Sequence, residues 1–87
     1  MRIKDDYVLR EIAGDHVLVP TGAAVAKYNG LFAVTEVGAR ILEIMPDCNG
    51  EDDIVAKILE EYDVDEETAR RDVHDFIESL RESDILE

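Results

Sequence analysis

The apolar period of this chain changes at Thr35. Before it, apolar residues sit in short β-prone runs separated by turn residues. After it they recur at helical spacing to the end of the chain. A chain that switches once in this way builds a small sheet first and covers it with helices. That is an α+β arrangement, in the order β-β-β-α-α-α.

The strand half has three segments. "YVLREI" and "HVLVP" read as two strands, carried by Val8, Leu9, Ile12, Val17, Leu18 and Val19, with Gly14–Asp15 supplying the left-handed turn positions. Pro20 and Gly22 end the second strand. "AAVAKY" suits either an extension of the strand or a loop. Asn29–Gly30 is the strongest hairpin dipeptide in the chain, and it predicts a turn before a third strand, "LFAVT". In that strand Leu31, Ala33 and Thr35 point one way and Phe32 and Val34 the other.

The helical half has three segments too. Thr35 is an N-cap, and Val37, Ile41, Leu42, Ile44 and Met45 form the first stripe, stopped by Pro46. The second helix spans about Glu51–Glu61, with "EDD" at its positive end. The third is capped by Asp65, and Val64 is placed to staple onto Ala69. Ala69, Val73, Phe76, Ile77 and Leu80 make its stripe, and Ile85–Leu86 pack back as an extended tail.

Charge excludes several functions. The net charge is −13, and almost all of it lies after residue 50. Such a surface repels nucleic acid, whose binding relies on lysine and arginine displacing counterions, and it disfavours anionic membranes. No apolar run is long enough to span a bilayer, and the N-terminus lacks the apolar core of a signal peptide. A lone cysteine, Cys48, allows no internal disulfide and suits a reducing cytoplasm. His16 and His74 lie in different elements, no zinc spacing occurs, and "DVDEE" lacks the glycine and ligand spacing of a calcium loop. No catalytic constellation emerges.

Two features point to binding. On the third helix Arg70, His74 and Arg81 fall along one border of the apolar stripe, and Asp72, Asp75 and Ser79 along the other. And "LFAVT" carries neither charge nor proline, so nothing protects it as a sheet edge. Such an edge is covered by the chain's own tail or helix, pairs with a second copy in a homodimer, or receives an extended peptide.

With these residues assembled, the chain resembles the PqqD family, the peptide chaperones also called RiPP recognition elements. The resemblance rests on "HVLVPTG", "NGLFAVTEVGARILE", "EDDIVAKILEEYDVDEE" and "ARRDVHDFIESLRESDILE". Thr35 stands where the family commonly has asparagine, Leu42 where tryptophan is common, and Asp84 where glycine is usual. The resemblance implies one domain over residues 1–87 with a winged helix-turn-helix-like fold: a small antiparallel sheet of about three strands, then three helices. It implies no catalysis and no cofactor or metal. Its members bind the leader segment of a ribosomally synthesised precursor peptide by β-strand addition and present it to a modifying enzyme, often a radical SAM protein. Carried over, the peptide site comprises Leu31, Phe32, Ala33, Val34 and Thr35 on the strand and Arg70, Val73, His74, Ile77 and Arg81 on the helix, with the basic border facing the groove. That basic border would suit an acidic leader. The alternative from another class is a structural or dimerisation subunit of a modification complex, with "LFAVT" pairing to a second copy.

Overall fold

The computed structural model describes residues 1–27 and 32–87. Strands β1 (Tyr7–Ile12) and β2 (Asp15–Pro20) pair antiparallel, from Tyr7 opposite Pro20 to Ile12 opposite Asp15. This register leaves only Ala13 and Gly14 in the turn, with φ of +53° and +86°. The left-handed pair therefore sits one residue earlier than the expected Gly14–Asp15. Asp15 is already committed to the ladder. The cost falls on Ala13, whose Cβ is disfavoured in this region by about 1–2 kcal/mol.

The described residues of "AAVAKY" form neither strand nor plain loop. After Gly22 (φ +54°) the chain makes one helical turn, α1 (Ala24–Lys27), and Ala24 is buried. The neighbour of β2 is instead β3 (Phe32–Val34), with Leu18 opposite Phe32 and His16 opposite Val34. The expected Asn29–Gly30 turn lies outside the described residues. The sheet order is β1-β2-β3. Phe32 and Val34 are half-buried against the core while Ala33 is exposed, the alternation that pleating imposes.

Helix α2 (Glu36–Ile44) follows β3 with one residue between. That residue is Thr35, whose Oγ1 accepts a hydrogen bond from the Gly38 amide at 3.0 Å. A 3-10 turn, Met45–Asp47, then carries Pro46. Helix α3 (Glu51–Glu61) and helix α4 (Glu66–Glu82) form a hairpin around residues 62–65. Asp65 caps α4 by accepting from the Thr68 amide at 2.7 Å, and this bond holds its carboxyl below the usual range. Val64 stays 41% exposed, so the staple contributes little. Arg40 on α2 grips Glu61 at the end of α3 through two hydrogen bonds of 2.7 and 2.8 Å. A bidentate pair of this kind fixes orientation better than a single contact.

The core joins every layer. Leu18 from the sheet, Met45, Ile54 from α3, Ile77 and Leu80 from α4 and Ile85 from the tail are all fully buried. Each such side chain is worth about 1.5–3 kcal/mol of burial. The tail packs back as expected, but against the N-terminus. Ile3 bridges Leu86, the Lys4 amide donates to the Ile85 carbonyl at 2.8 Å, and the Glu87 amide donates to the Arg2 carbonyl at 2.9 Å. Asp84 reaches this path with φ +58°, which explains why glycine suits the position. Among the described residues no helix is long and apolar enough to cross a membrane.

The strained turn is testable. Ala13→Asn creates the favoured Asn-Gly pair and is expected to raise the unfolding free energy by about 1 kcal/mol. Urea denaturation reads this directly, and a midpoint that stays or falls would show that Ala13 costs nothing where it is.

Candidate peptide groove

Strand β3 ends the sheet, and among the described residues no further strand lies beyond it. Its exit into α2 shapes the surface alongside. There a cleft of about 490 Å³ separates the start of α2 from the middle of α4. Thr35, Val37, Gly38 and Ile41 form one wall; Asp72, Asp75 and Phe76 form the other. Ile41 is buried at its floor, Val37 and Phe76 are half-exposed on its sides, and the two aspartates stand exposed at its rim. Gly38 sets its width. A Cβ there would lie 3.1 Å from Cε1 of Phe76, so the missing side chain is what lets the helices approach this closely.

A larger, shallower depression of about 570 Å³ lies around Asn49–Asp53. Asparagine, glycine and three acidic residues line it. It offers no apolar anchor for a side chain.

Of the helix residues expected at the peptide site, none lines this cleft. Val73 and Ile77 are 1% and 0% exposed, so they belong to the core and present no surface to a ligand. The basic border faces α3. Arg70 donates to Asp52 at 2.8 Å and to Glu66 at 3.1 Å, and Nδ1 of His74 lies 3.2 Å from Glu51. Arg81 pairs with Glu78 on its own helix. The cause is the hairpin: folding α3 back along α4 sets Glu51 and Asp52 opposite His74 and Arg70. The border left beside β3 and α2 is the acidic one. Of the strand residues expected at the peptide site, Thr35 lines the cleft, Phe32, Ala33 and Val34 form β3 just before it, and Leu31 lies outside the described residues.

These pairs explain the charge states. Hydrogen bonds to Asp52 and Glu66 raise the Arg70 pKa, and the Glu51 carboxylate raises that of His74 above its ordinary 6.5. Glu51, His74 and Glu78 bring possible metal-ligand atoms within 4.8 Å of one another. Those atoms already serve the His74–Glu51 contact and the Arg81–Glu78 pair. Burial pushes the Cys48 thiol up, which makes it a poor nucleophile.

From sequence Val37, Ile41 and Phe76 read only as positions of apolar helix stripes, and Gly38 carries no signal. One signal could have separated the two borders of α4. The acidic first turn of α3 complements Arg70 and His74 at the spacing that an antiparallel hairpin brings together.

Known proteins agree with this architecture. The family model of coenzyme PQQ synthesis protein D (PqqD) matches residues 15–86. The solved structure of TbiB1 in complex with the TbiA(beta) leader peptide superposes with a TM-score of 0.75, at 31% identity over 100% of this chain and 95% of that one. Lasso peptide synthetase B1 complexed with the leader peptide superposes with a TM-score of 0.74, at 20% identity over 97% of this chain and 93% of that one. No curated protein matches the sequence.

Two measurements check the assignment of α4. Ile77→Ala should lower the unfolding free energy by about 2–5 kcal/mol, the range for a buried truncation; a change near zero would return Ile77 to the surface. By NMR titration His74 should titrate above 6.5, and Glu51→Gln should bring it back down. Because the folded pKa is raised, the His74–Glu51 contact is at full strength below 6.5 and is lost as pH rises through the folded value. An unmoved His74 pKa in Glu51→Gln would remove the contact from solution.

Proposed function

The chain belongs to the PqqD family, and from that premise we propose that it binds the leader segment of a ribosomally synthesised precursor peptide. The leader adds as a strand to the outer edge of β3 and sends side chains into the cleft between α2 and α4. The observation that carries this reading is the open cleft beside the last strand of the sheet. The leader peptide bound to TbiB1, the relative with 31% identity, supports it.

Magnitudes divide the work between edge and cleft. β3 is three residues long, so it offers only a few main-chain hydrogen bonds. Each is worth about 0.5–1.5 kcal/mol net, whereas ordering each peptide residue costs about 1–2 kcal/mol. Strand addition alone therefore does not hold a flexible leader. One apolar side chain seated against Val37, Ile41 and Phe76 adds about 1.5–3 kcal/mol. The edge sets direction and register; the cleft supplies affinity and selectivity.

Nothing in this scheme asks the domain to do chemistry. It holds the leader so that the attached core peptide stays at high local concentration near a peptide-modifying enzyme. A radical SAM protein is the class of enzyme that the family resemblance implies. A cytoplasmic setting suits the single thiol of Cys48. The proposed strand site is Phe32, Ala33 and Val34 with Thr35 after them, Leu31 lying outside the described residues, and its helix wall is Asp72, Asp75 and Phe76, in place of Arg70, Val73, His74, Ile77 and Arg81.

The test is an amide NMR titration with synthetic leader peptides, starting from the TbiA(beta) leader that TbiB1 binds. Shifts are expected at Phe32–Val34 and around Asp72–Phe76, with slowed hydrogen exchange in β3. Gly38→Ala, which forces the Phe76 ring aside, should weaken binding several-fold while the fold persists. Shifts confined to the α3 face of α4 would sink the proposed site. A concentration-dependent doubling of mass that involves β3 would favour the dimerisation subunit instead.

A further inference from the structure

The charge of the cleft narrows the class of leader, given the docking site proposed above. We infer that this groove selects a leader in which a lysine or arginine lies two positions from an apolar anchor, the cation meeting Asp72 and Asp75 while the anchor sits on Phe76.

The two borders of α4 differ in how their charges are used. Arg70 and His74 are occupied by carboxylates of α3, and Arg70 also by Glu66. On the groove side Asp72 has one contact, with its neighbour Arg71, at 3.8 Å. Among the described residues Asp75 takes part in no ion pair. No basic residue lines the cleft, so its rim presents two carboxylates with little local compensation. An acidic leader lying in this cleft would bring like charges together beside an apolar patch, where the dielectric is lower than in bulk water. A cationic side chain there is attracted, and its methylene stem covers the apolar wall while the head reaches the rim.

The spacing suits an added strand. Same-face side chains of a strand recur every two residues, about 6.6 Å apart. Asp72 lies four residues before Phe76 on the helix, a rise of about 6 Å. An anchor on Phe76 and a cation two residues along therefore reach the apolar wall and Asp72 together. Asp75, one residue from Phe76, widens the acceptor to either orientation of a long lysine or arginine. Thus charge sets which leader is accepted, and the main chain of β3 sets how it lies.

The experiment is a selection of random 12-residue peptides displayed on their own mRNA, run against the full chain, Asp72→Asn/Asp75→Asn, and a charge-matched control, Glu60→Gln/Asp63→Asn. All four substituted residues are exposed, so the fold should survive, and urea denaturation verifies it. Selected peptides are mapped by amide shifts. The wild-type pool should enrich lysine or arginine two positions from an apolar residue among peptides that shift β3. For such a peptide the Asp72→Asn/Asp75→Asn variant should bind about three- to tenfold more weakly at low salt, and the control within twofold of wild type. Equal weakening in the control would mean that only the overall charge of −13 attracts cations, and the inference would fall. A pool that shifts β3 but is neutral or acidic would overturn the inference and leave leader binding intact. A pool in which no peptide shifts β3 would overturn the docking site itself, and this inference with it.

Discussion

The structure depends on one buried stripe. Val73, Ile77 and Leu80 are closed off completely or nearly so, and α4 packs on both α2 and α3. Burial on this scale is the dominant favourable term available to so short a chain. Once the stripe is covered, the two flanks of α4 have different fates. One lies against α3 and is neutralised by it. The other stays open beside the end of β3.

The junction at Thr35 gives that open flank its shape. A threonine cap lets strand pass into helix with a single residue between, so the edge of β3 and the first turn of α2 share one surface. Gly38 then brings Phe76 close. An apolar wall and a carboxylate rim meet within one cleft because α2 and α4 converge just past the end of β3. A longer connection would have separated the edge from its selective wall.

Most of the architecture is legible in the residues. The period change at Thr35, the caps Thr35 and Asp65, the stripe of α4 and the returning tail all appear in the structure, because each is a local preference that tertiary packing reinforces. The misreadings also have local causes. Ala13 is left-handed because register overrules its preference, and Ala24–Lys27 turn into a helix while β2 takes β3 as its second partner. Val73 and Ile77, which the family resemblance assigns to the peptide site, are buried, as their own periodicity at the centre of the stripe dictates.

What the sequence determined by itself is therefore the set of elements and, on α4, a buried stripe with one basic and one acidic border. Helical periodicity assigns residues to those borders but says nothing about which neighbour each will meet. Only the tertiary structure decided that. The hairpin sets α3 against one side of α4, and two of its carboxylates, Glu51 and Asp52, take His74 and Arg70. Opposite charges at close range and the short connection at residues 62–65 leave little freedom in this choice. The groove beside β3 is acidic as a consequence.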